Sequence, residues 1–81
     1  MRSLRAIVEI VVEPKKLADV CRKVAKIPEA VKVYEITGEF DVLVELEVDS
    51  IVTLREILRD KILKIDGVKT THSSLVLGEW K

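Results

Sequence analysis

Residues 37–49 read TGEFDVLVELEVD, a turn glycine followed by an almost unbroken alternation of apolar and polar side chains. Successive side chains of an extended strand point to opposite faces. Phe40, Val42, Val44, Leu46 and Val48 therefore share one face, and Asp41, Leu43, Glu45, Glu47 and Asp49 share the other. Only the first face is strongly apolar, so this strand, running from Phe40 to Val48, packs on a core from one side. The rest of the chain is placed by working outward from it.

Upstream, Ala30 to Gly38 reads as the preceding strand, joined by a hairpin around Gly38 and Glu39. Before that, Leu17, Val20, Cys21, Val24 and Ile27 recur at helical spacing between Pro14, which suits a first helical turn, and Pro28, which ends the helix. Arg5 to Glu13 alternates as a first strand with Ala6, Val8, Ile10 and Val12 on one side. Downstream, Asp49 or Ser50 caps a helix whose Ile51, Leu54, Ile57, Leu58, Ile62 and Ile65 form a broad stripe, and Gly67 closes it. Val68 to Leu77 is the last strand, with Thr71, Ser73, Leu75 and Leu77 on one face and Thr70, His72, Ser74 and Val76 on the other.

The order βαββαβ predicts an α+β fold of the ferredoxin-like split βαβ type: one domain over residues 1–81, a four-stranded antiparallel sheet and two helices on one face. Those helices leave Ile7, Val11 and Leu43 uncovered on the other face. A second copy packing sheet to sheet, as in a dimeric α/β barrel, would cover them.

Composition narrows the function. Fourteen basic and fourteen acidic residues cancel in a chain of 81, which argues against a polyanion-binding surface and so against direct nucleic-acid contact. One cysteine and one histidine supply neither a disulfide nor a metal-ligand pattern, and no cofactor motif is present. There is no secretory leader and no apolar run long enough to span a membrane, which points to the cytoplasm. Asparagine and glutamine are absent while lysine and glutamate abound, the bias of thermophile proteins.

The segments VYEITGEFDVLVELEVD and IDGVKTTHSSLVL resemble the effector-binding (RAM) domain of the Lrp/AsnC transcription regulators. The first matches that family's threonine-glycine-x-aromatic-aspartate turn leading into a long strand, and the second its closing glycine-valine strand with alternating hydroxyl residues. The resemblance implies a stand-alone form lacking the helix-turn-helix. It also implies dimers that assemble into rings, often octamers, an amino acid bound as the small-molecule effector, and a DNA-binding Lrp-type regulator as partner. Carried onto this chain, the effector site comprises Gly38, Glu39, Phe40 and Asp41 in the turn, with Thr71 and Ser73 on the last strand. His72 stands where members often have glutamate.

The chemistry of that assignment is reasonable residue by residue. Gly38 lets ligand approach the backbone, Asp41 can accept from an ammonium group, Thr71 and Ser73 can hydrogen-bond either end of an amino acid, and Phe40 can wall its side chain. Each also has a plainer reading: Gly38 as a turn glycine, Asp41 as a solvated strand residue, Thr71 and Ser73 as β-formers, Phe40 as the head of the core face. Two other functions share the topology. A small dimeric barrel enzyme would use His72 as acid or base, but no positioned partner is evident for it, so no catalytic residue is assigned. An ACT-like regulatory module would normally accompany a catalytic domain.

Overall fold

The computed structural model describes residues 3–81. Strand β1 (Leu4–Val12) leads through a 3₁₀ turn at Pro14–Lys16 into helix α1 (Leu17–Ala25). Strands β2 (Ala30–Glu35) and β3 (Val42–Val48) follow, then helix α2 (Ile51–Glu56), which continues as a π-helical segment over Ile57–Ile62, and finally β4 (Val68–Leu75). The sheet order is β2-β3-β1-β4 with every pairing antiparallel. This is the split βαβ arrangement that the sequence predicts.

The period-two pattern decides which face is buried. Ala6, Val8, Ile10 and Val12 of β1 and Val42, Val44, Leu46 and Val48 of β3 form one core with Val20, Val24 and Ile27 from the first helical region and Leu54, Ile57 and Ile62 from the second. Each valine, leucine or isoleucine among them, fully buried, contributes about 1.5–3 kcal/mol from apolar area removed from water. Ser50 begins α2 by accepting a hydrogen bond at Oγ from the Thr53 amide at 3.1 Å.

The π segment is a departure from the expected regular helix. Leu63 N–H donates to the carbonyl of Leu58 at 2.9 Å, five residues back. The wider turn brings residues five apart closer to one side, so Ile57 and Ile62 both enter the core, whereas a regular α-helix would set them about 140° apart, toward opposite edges of a broad stripe. Ile51, expected on the same stripe, is exposed.

Three strand limits also differ from expectation. β2 stops at Glu35 rather than Gly38, β3 starts at Val42 rather than Phe40, and β4 ends at Leu75 rather than Leu77. The first two share one cause: Asp41 N–H donates to the carbonyl of Ile10 on β1, and the Asp41 carbonyl accepts from Ile36 N–H, both at 2.9 Å. These bonds pin the ends of a longer connection and exclude a tight hairpin.

Opposite the helices, Arg5 bridges Glu47 at 2.9 Å and Glu45 at 3.9 Å, while Ile7, Val11 and Leu43 stay half-buried and Tyr34 is exposed. Among the described residues, no helix is long and apolar enough to cross a membrane.

Candidate functional site

The connection from Ile36 to Asp41 forms a turn at one end of the sheet. Gly38 lies at φ 109°, a left-handed value that side chains with a Cβ rarely adopt. A Cβ built there would meet nothing within 4 Å, so the backbone conformation selects glycine and the space around it is open. Gly38 and Glu39 are exposed, and Phe40 and Asp41 are half-buried. Among the described residues, the amides of Thr37 to Phe40 make no backbone–backbone hydrogen bond. Backbone amides left without a backbone acceptor at a turn can donate to an anion such as a carboxylate.

Asp41 is more than a solvated strand residue. Its Oδ2 accepts from the Val12 amide at 2.8 Å, so the carboxylate caps the end of β1 while its own amide and carbonyl hold both flanks of the turn. The β1–β4 register shifts between Val11 and Val12, at the same place. One carboxylate oxygen is thus committed to structure, and Oδ1 remains for another donor.

Phe40 does not head the core face as the alternation implies. Its ring centroid lies 6.0 Å from that of His72, tilted at 43°. His72 pairs with Glu9, whose neighbours Val8 and Ile10 point into the core, so His72 and the Phe40 ring meet on the face away from the helices. Because β3 begins only at Val42, Phe40 is free of the strand alternation. His72 Nδ1 approaches Glu9 Oε1 at 3.8 Å, beyond hydrogen-bond range.

Thr71 and Ser73 pair with Ile10 and Val8 and therefore face the helix side of edge strand β4. The four turn residues are contiguous, and Phe40 adds His72 to them. The two hydroxyl residues lie on the other face of the sheet from that pair. The Val12–Asp41 bond and the Phe40–His72 contact have no local sequence signature. Among the described residues, no group of three histidine, cysteine or acidic side chains could hold a metal ion. The Cys21 thiol, pushed up by burial and by Glu35, is a packing residue.

The fold is thus a ferredoxin-like sheet with an exposed, glycine-centred turn at its end. Within that class, residues 5–81 match the model of the Lrp/AsnC ligand binding domain, and the chain belongs to this family. It is 36% identical over 75 residues to the HTH-type transcriptional regulator FL11 of Pyrococcus furiosus, an alignment covering 93% of this chain and 49% of that protein. The chain spans about half the length of the curated relatives it matches. The archaeal source of such relatives agrees with the thermophile bias in composition. A transcriptional regulator of Neisseria meningitidis solved with L-methionine superposes with a TM-score of 0.89 at 28% identity, over 96% of this chain and 52% of that one. A Thermus thermophilus protein superposes at 0.91 with 22% identity, over 96% of this chain and 98% of that one, which shows the shared fold.

Proposed function

We propose that this domain is a non-enzymatic effector sensor: it assembles through the uncovered sheet face, binds a free amino acid at the 37–41 turn, and serves a DNA-binding Lrp-type regulator. The observation that carries this reading is the Gly38-centred turn with its unpaired amides, in a chain of the Lrp/AsnC ligand-binding family. The Neisseria relative solved with L-methionine supports an amino acid as the ligand class.

In this reading each group of the turn has its own part. The turn amides meet the ligand carboxylate, Asp41 Oδ1 meets the ammonium, and Phe40 borders the side chain. Glu39 and Gly38 are open to solvent, so a neighbouring subunit of a ring completes the enclosure. Thr71 and Ser73, on the other side of β4, reach a ligand only from a neighbouring copy. Catalysis does not enter this reading, since His72 lacks a hydrogen-bonded partner and the same face carries the carboxylates of Glu9, Glu45 and Glu47. Those charges also disfavour contact with phosphates. The cytoplasm is the compartment for such a sensor.

Calorimetric titration with a panel of amino acids tests the proposal, with light scattering run in parallel to confirm an assembly several times the 9.2 kDa chain mass. Saturable binding of one amino acid or a few, weakened at least tenfold by Asp41→Asn, is the expected result. An intact assembly that binds no amino acid would remove the sensor function.

A further inference from the structure

The Phe40–His72 contact joins the turn to the far edge of the sheet. In the order β2-β3-β1-β4, β4 lies two strands from β3, and neighbouring strands stand about 4.7–4.9 Å apart. A ring carried just ahead of β3 therefore meets His72 only by lying across the end of β1. Asp41, the next residue, is bonded to Ile10 and Val12, which holds the Phe40 backbone at that end of the strand. On its other side nothing comparable acts. Among the described residues, Thr37, Gly38 and Glu39 make no backbone–backbone hydrogen bond, and Gly38 has no side chain to pack. The direction of the ring is thus left to what the ring touches.

His72 is the group it touches. A centroid separation of 6.0 Å at 43° lies within the roughly 4.5–7 Å range of attractive aromatic pairs, and no other aromatic pair forms among the described residues. His72 is itself placed by its strand, opposite Glu9 in the β1–β4 register, with Nδ1 3.8 Å from Glu9 Oε1. An imidazole suits this position. Its flat ring lies against Phe40 while a nitrogen turns toward Glu9. A carboxylate at position 72 would meet the electron-rich face of the phenyl ring and the like charge of Glu9. The charged groups about this wall are Glu9 on β1 and Glu39 and Asp41 on the turn, all of them carboxylates.

We infer that His72 is a positioning residue for the effector site: it holds the Phe40 ring as an apolar wall, and so makes the site select amino acids with large apolar side chains over small and acidic ones. The inference rests on the turn as the effector site and adds which ligands that turn accepts. A large apolar side chain covers the ring and gains from its being held in place. A small one leaves the ring uncovered and gains nothing, while an acidic one meets the surrounding carboxylates. His72 acts through Phe40, without touching the ligand carboxylate or ammonium.

Phe40 is the only phenylalanine, so protein labelled with ¹³C in the phenylalanine ring reports on this wall alone. The His72 side chain is 65% exposed, and its replacement leaves the core intact. Expected results are a Phe40–His72 NOE in wild type, a ring signal moved toward that of a mobile, solvated phenylalanine in His72→Ala, and its recovery in His72→Tyr. Calorimetric titrations of the same three proteins use leucine, methionine, phenylalanine, glycine, alanine and glutamate. Wild type binds the first three more tightly. His72→Ala weakens those three by about two- to tenfold, the worth of one aromatic contact, moves the others by less than about twofold, and His72→Tyr restores the preference. The inference is overturned by a Phe40 ring signal that His72→Ala does not move, by an equal loss across all six ligands, or by a tyrosine that restores nothing. Wild type that binds none of the six removes the sensor reading and this inference together. Binding with the same preference in wild type and His72→Ala removes this inference alone.

Discussion

Replacing Asp41 by alanine removes the only side-chain acceptor shown for the Val12 amide, a 2.8 Å bond in a half-buried setting at the end of β1. Hydrogen bonds to charged groups contribute about 1.5–3 kcal/mol, and an unsatisfied buried donor costs about 1–3 kcal/mol. A loss of about 2 kcal/mol is therefore expected, which at roughly 4–8 °C per kcal/mol for a domain of this size lowers Tm by about 8–16 °C. Asparagine keeps an oxygen acceptor and gives up only the charge, so Asp41→Asn loses about 1 kcal/mol. Urea unfolding of wild type and both variants, at one protein concentration because association raises apparent stability, measures the series. An Asp41→Ala variant within about 0.5 kcal/mol of wild type, the range of ordinary surface changes, would refute the capping role. So would an asparagine variant as damaged as the alanine.

Two further expectations rest on backbone and charge. At Gly67, φ is 102° and a Cβ would lie 2.7 Å from Lys16 Cβ and 3.3 Å from Val20 Cγ2, so Gly67→Ala combines conformational strain with a clash and costs about 3 kcal/mol. Gly38→Ala meets open space and costs only the conformational share, about 1–2 kcal/mol; equal losses in chemical denaturation would contradict this. The Asp66 carboxyl is held below its ordinary value of 3.8 by the Lys16 ammonium 2.6 Å away. A depressed folded pKa gives stability that is present above the ordinary value and lost as pH falls through the folded one. The stability difference between wild type and Asp66→Asn should thus shrink on acidification below 3.8 and on adding salt, and a difference that grows with acid would be inconsistent.

The parts of the fold legible in the sequence are those governed by local periodicity. In β1 and β3 the alternation assigns every buried residue from Ala6 to Val12 and from Val42 to Val48 to its face. Gly38 and Gly67 are both found at the positive φ that their turn and helix-closing positions call for. What the sequence conceals depends on partners distant along the chain. Asp41 binds Ile10 and Val12, some thirty residues earlier, and those bonds shorten β2 and β3 and release Phe40 toward His72. The π segment follows from the five-residue step between Ile57 and Ile62, a spacing that fits a broad α-helical stripe equally well. For the candidate site, the contiguous turn is readable, whereas the placement of Thr71 and Ser73 on the helix side of β4 requires the β1–β4 register.

The most direct test of the effector-sensor account is a ¹⁵N–¹H correlation spectrum of the assembled protein titrated with amino acids. The account predicts saturable shifts at the amides of residues 37–41 with a subset of amino acids, including Gly38 and Asp41. Shifts confined to other surfaces, or a spectrum that no amino acid alters, would contradict it.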